Sequence, residues 1–222
     1  MSITSMQIIE VMARRGSLLL VIGSVAFILS LGLALERVAP AQHDRSWEPL
    51  RLNAVYAEYG SFAELVAEST VVVVGSITSV APGRKVGGDS KLGERDTVYY
   101  LSAILEIEEV LHGAPKDPTA RTVTLELFAP NIDAAEAILA NPPRDRGLFF
   151  LINKADHVAT VGLSADRRRL EEAYYEAAWP EGVIVERAGT AVPVGAIESD
   201  DFLVPWRGKP FGELVQAVRA VR

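Results

Sequence analysis

Three carboxylates, Glu106, Glu108 and Glu109, fall within "LEIEEVL", where a pair could act as acid and base. On an extended chain Glu106 and Glu108 project from one side, about 7 Å apart. An acidic, solvent-facing strand that resists edge-to-edge association has the same pattern, and that is the expectation here. The three histidines, His43, His112 and His157, are isolated from one another, whereas a metal or catalytic site needs two or three converging with a carboxylate. His43 falls in a linker, His112 at a strand end and His157 at a strand start, so all three are expected to be solvated.

Glu198, Asp200 and Asp201 make an acidic loop, but the spacing and glycine of a calcium hand are missing. Arg167, Arg168 and Arg169 could grip a phosphate or an acidic partner, or stand as solvated charge beside Glu171 and Glu172. Trp179 and Trp206 flank proline-containing bends and are expected to plug the core. The chain has no cysteine, which removes disulfides, a thiolate nucleophile and zinc–thiolate sites. It contains no G-x-S-x-G, P-loop, G-x-G-x-x-G or H-E-x-x-H. The sequence therefore assigns no catalytic, cofactor-binding or metal-ligating residue and no cofactor.

Location is more legible than chemistry. Gly16 to Leu35 carries no charge. As a helix rising about 1.5 Å per residue it would reach about 30 Å, the thickness of a bilayer core. Arg14 and Arg15 precede it, which by the positive-inside bias keeps residues 1–15 in the cytoplasm and sends the rest across. The expectation is a transmembrane segment over 16–35, a stalk over 36–58 and an extracytoplasmic domain over 59–222. The alternative is a cleaved signal peptide, because Ala39-Pro40-Ala41 has the small-x-small form of a cleavage site, which would release a secreted chain beginning at Gln42. The formal charge is −7, with the acidic excess beyond Ala41, which argues against nucleic acid and against anionic lipid surfaces as partners.

The elements downstream read as an α+β domain. "SFAELVAES" offers Ser61 and Glu64 as a capping box, with Phe62, Leu65 and Val66 on one face. "TVVVVGSITSVAPG" reads as a strand closed by a Pro-Gly turn, with a bulge or bend at Gly75, and 84–96 as a glycine-rich hairpin loop. In the long strand after it, Tyr99, Leu101, Ala103, Leu105 and Ile107 should point inward; in the next, Val123, Leu125 and Leu127. Asn131 or Asp133 should start a helix that Asn141 and two prolines stop.

"RGLFFLINK" reads as a strand buried on both faces, paired with "HVATVGL" across a turn at Lys154–Asp156. Over 167–179 propensity favours a helix placing Leu170, Tyr174, Ala177 and Ala178 on one face, against three arginines that oppose its dipole. "GVIVERAGTAVPV" reads as a hairpin turning at Ala188-Gly189. Pro210 should open a last helix packing Phe211, Leu214, Val215 and Val218. Long bent strands with a few short helices predict a small antiparallel barrel.

"AESTVVVVGSITSV", "TVYYLSAILEIEEVLHG", "RTVTLELF", "RGLFFLINK" and the closing "GKPFGEL" together resemble uncharacterised exported bacterial proteins. That resemblance implies an OB-like barrel, similar to netrin-like and metalloproteinase-inhibitor domains. Ser69-Thr70 stands where the group has an aspartate, and His112 where it has lysine; the N-terminal cysteine through which the animal inhibitors bind zinc is missing. The resemblance carries no activity.

Three functions are expected in descending order. The first is a non-enzymatic binding module, held at the membrane through 16–35 and meeting a cell-envelope protein, with loop 84–96 and the arginine cluster as contact points. The second is a structural subunit of a membrane complex, using Gly16, Gly23 and Gly32 as a small-residue face. The third is a hydrolase whose carboxylates or metal ligands are assembled by the fold.

Overall fold

Ser61 opens the helix α1 (Phe62–Glu68): its hydroxyl accepts the Glu64 N–H at 3.2 Å, and the Glu64 carboxylate takes the Gly60 N–H at 2.8 Å. The chain is described by a computed structural model over residues 45–50, 59–86, 98–158, 162–178, 182–195 and 202–221. These belong to one unit beginning at Arg45. The segment 16–35 lies outside them, as do His43, Trp179 and the acidic residues Glu198, Asp200 and Asp201. Among the described residues no helix is long and apolar enough to cross a membrane.

The β-branched run after α1 forms β1 (Val71–Val86), which pairs antiparallel with β2 (Val98–Gly113) along its length. The register shifts between Val74 and Gly75, where a Cβ would stand 2.2 Å from the Glu106 carbonyl oxygen; only glycine lets the strands meet there. Pro82-Gly83, expected to close a turn, lies inside β1. A further irregularity between Pro82 and Lys85 absorbs it, so Arg84 belongs to a strand and not to a loop.

β3 (Thr122–Ala129) pairs with β2. Asn131 then caps α2 (Ile132–Ala140), accepting the Ala134 N–H at 2.9 Å, and Asn141 ends it. β4 (Arg146–Asn153) lies antiparallel to the first half of β1. After it come the short helices α3 (Lys154–Val158) and α4 (Ala165–Glu171), then β5 (Tyr174–Ala177), β6 (Val183–Arg187), β7 (Thr190–Pro193) and α5 (Phe211–Ala220).

β5 lies beside both β4 and β3, so five strands return on themselves in the order β1-β2-β3-β5-β4-β1, and β6 and β7 extend the sheet to seven strands. The expected antiparallel sheet is thus mixed. The chain crosses over through α3 and α4 and brings β5 in parallel to β3, with only Thr124–Tyr174 and Leu125–Tyr175 in register, and the ring is partly closed.

Alternation decides which side chains fill it. Leu101, Ala103, Leu105 and Ile107 of β2 and Val123, Leu125 and Leu127 of β3 point inward with Phe149 and Leu151 of β4, as their period of two requires. Ala135 and Ile138 of α2 join this interior. So do Trp47 and Leu50 of the 3-10 turn Arg45–Leu50, residues read from sequence as stalk. The other face of β1, β4 and β6 carries Val72, Val74, Leu148, Phe150 and Ile184 beneath Leu65 and Val66 of α1 and Phe211, Leu214, Val215 and Val218 of α5. That double burial explains why β4 reads as an unbroken apolar run.

Two expectations fail downstream of β4. Lys154–Val158 is helical and does not return as a strand, because Asn153, fully buried, ends the ladder. Its amide donates to the carbonyls of Glu172 and Tyr174 at 3.0 and 3.2 Å, and its Oδ1 accepts the Ala155 N–H. The helix expected over 167–179 stops at Glu171, and Tyr174–Ala177 is a strand. Leu170 does not share a buried face with Tyr174; it is 68% exposed.

Candidate functional site

The Glu126 side chain points outward from β3, as its alternation predicts, yet the residue is only 3% exposed. A carboxylate so buried needs cations. Arg84, near the end of β1, supplies two parallel hydrogen bonds, from Nε at 2.7 Å and Nη2 at 2.6 Å. Lys154, opening α3, gives a third from Nζ at 2.5 Å. Arg84 also reaches Glu171, the last residue of α4, from Nη1 at 2.7 Å and Nη2 at 3.0 Å. One guanidinium thus joins β1, β3 and α4.

Aromatic rings flank the ions. The Arg84 guanidinium carbon lies 5.0 Å from the Tyr174 ring centre and 5.8 Å from that of Tyr100, while Lys154 Nζ stands 4.6 Å from Tyr100. Phe128 meets Tyr100 edge to face. Glu176 extends the group on β5, 3.9 Å from Lys154 Nζ and 3.0 Å from His157 Nδ1.

Burial pushes the Glu126 carboxyl up, but hydrogen bonds from Arg84 and Lys154, with their charges, outweigh it and hold the group below the ordinary glutamate range. Donating hydrogen bonds to Glu126 and then to Glu171 makes Arg84 hold its proton more firmly than usual, against a smaller opposing cost of burial. Each buried carboxylate faces a cation within hydrogen-bond distance, so the cluster binds its own elements together and offers no carboxylate pair sharing a proton.

The residues singled out from sequence lie elsewhere. Glu106, Glu108 and Glu109 are exposed; Glu108 pairs with Arg146 at 2.7 Å and Glu109 with Arg219 of α5. Arginines, not partner acids, meet these two. His112 is half-buried at the end of β2, opposite Val72, and His157 is exposed beside Glu176. Trp206 is half-buried against Phe62, with ring centres 5.4 Å apart. Of loop 84–96, residues 84–86 lie in β1 and the remainder falls outside the described residues. Among the described residues, no three histidines or acids stand close enough to hold a metal ion.

The chain matches no family model, no curated protein and no solved structure. The cluster therefore has to be understood from its own chemistry. Sequence reasoning missed it because its members are far apart: Arg84 and Glu126 by 42 positions, Arg84 and Glu171 by 87. The one local signal was Arg84 following Pro82-Gly83, which reads as loop unless the bulge is known.

Proposed function

We propose that this protein is a non-enzymatic binding module displayed outside the cytoplasm on an OB-like barrel and held at the membrane by residues 16–35. One observation carries the reading: the ring order β1-β2-β3-β5-β4-β1, with α2 between β3 and β4. OB barrels present the face of their second and third strands together with the loops joining strands one to two and four to five. Here that face bears Tyr100 and Phe128, both half-buried beside the pair of Arg84 and the buried Glu126, and those connections are 87–97 and the α3–α4 crossover. The acidic excess disfavours nucleic acid on such a surface and leaves a protein or another envelope component as ligand. Full pairing of Glu126 and Glu171 with cations supports binding over acid–base catalysis.

The test has two parts. An alkaline phosphatase fused after Arg222 should be active, and activity confined to a cytosolic reporter would overturn the location. Full-length protein crosslinked in intact envelopes should capture a partner that is lost when 87–97 is replaced by a short Gly-Ser link, with thermal unfolding unchanged. Capture that survives the replacement would remove the loop from the binding surface.

A further inference from the structure

α4 is built unlike the other helices that cover the barrel. Its only buried residue is Glu171, and it buries no apolar side chain. Seven residues are too few for an isolated helix to be stable; this one is held by the Ser164 cap and the Glu171–Arg84 pair. Outward it presents Arg167, Arg168 and Arg169, all exposed, and Leu170, 68% exposed. Among the described residues none of the three guanidinium groups has an ion-pair or hydrogen-bond partner, although Asp166 and Glu172 stand exposed nearby. Elsewhere among the described residues Arg84, Arg146, Arg187 and Arg219 each meet a carboxylate, and the exposed Arg121 and Arg207, which do not, are single residues and not a run of three.

We infer that Arg167, Arg168, Arg169 and Leu170 form a docking surface for anionic phospholipid headgroups of the membrane to which the protein is tethered. The inference rests on the membrane-anchor reading above. Residues 36–44 can extend only about 30 Å, while a domain of this size has a radius of gyration of about 16 Å. A tether of that length would confine the domain to the neighbourhood of the headgroups without fixing its orientation. The acidic excess argues against an anionic surface as partner of the domain as a whole, but the local run of three unpaired guanidinium groups is positive and can approach one. Guanidinium forks suit phosphate oxygens, and a bare leucine beside them can enter the headgroup layer.

Full-length protein reconstituted with its domain outward, in phosphatidylcholine vesicles or in vesicles that also contain phosphatidylglycerol, tests this with trypsin. Cleavage after Arg167, Arg168 and Arg169 should be roughly tenfold slower on the anionic vesicles. It should recover in 1 M salt, where screening shortens to about 3 Å. Leu170→Gln, uncharged and at an exposed position, should weaken the protection and leave cleavage on neutral vesicles close to that of the parent chain. Equal rates on both vesicle types overturn the proposal, as does protection seen only with native membranes and lost when their proteins are shaved, which would assign the patch to an acidic protein. Flotation after an alkaline carbonate wash reads the anchor separately: protein that floats but is unprotected fails this inference alone, and protein that does not float fails both.

Discussion

One sheet is covered in two different ways. Over β1, β4 and β6 the cover is apolar: α1 and α5 lay Leu65, Val66, Leu214 and Val218 on Phe150 and Ile184, all with negligible exposure. Over β3 and β5 it is ionic: α3 and α4 are tied down by Lys154 and Glu171 through Glu126 and Arg84. Apolar burial is non-directional and indifferent to pH, whereas the ionic cover depends on protonation, on salt and on every partner being present. The first kind makes a permanent wall; the second makes a fastening that conditions can release.

The largest test of this contrast truncates each cover. Phe150→Ala should cost about 4 kcal/mol in denaturant unfolding, through lost transfer energy and a cavity. Glu126→Leu should cost about 3 kcal/mol, because it leaves Lys154 buried without its closest counter-charge. Adding Lys154→Met to Glu126→Leu should recover most of that loss. If the double variant is no better than the single one, the fastening is not chiefly electrostatic.

Acid should separate the two covers next. The folded pKa of Glu126 lies below its unfolded one, so its stabilisation is complete above the ordinary range near 4.5 and is lost as pH falls through the lower folded value. Hydrogen-exchange protection of α4 should therefore drop over that window while α5 keeps its own. A parallel loss in both helices would erase the distinction.

Sequence legibility divides along the same line. The interior of the ring could be read because a period of two leaves its trace in Leu101, Ala103 and Leu105 and again in Val123, Leu125 and Leu127. The apolar cover could be read as well, since Leu214, Val215 and Val218 recur at helical spacing. The ionic cover could not. Glu126 shows its direction but not its burial, Lys154 looks like a turn residue, and Glu171 sits in a helix with no apolar face to announce it. Tyr174–Ala177 was misread because its conformation is set by partners on β3 and β4, which outweigh helix propensity.

The smallest effect compares two caps of the same chemistry. Ser61 and Ser164 each accept a backbone N–H, at 3.2 and 3.4 Å. Ser61→Ala should lower global stability by about 1 kcal/mol, because α1 is fused to the apolar core. Ser164→Ala should instead raise local exchange within α4 and move the thermal midpoint little. Equal shifts in the midpoint would mean that α4 unfolds only with the whole domain.

Trp47 has a mechanical consequence. Its indole is buried within the partly closed ring of strands, 6.4 Å from Phe149, and its N–H donates to Asp145 at 2.7 Å, while Arg187 holds the same carboxylate at 3.4 Å. A pull on the chain upstream of Arg45 is borne first by this plug, so traction is spread over two strand ends before any ladder bond of β1 is loaded.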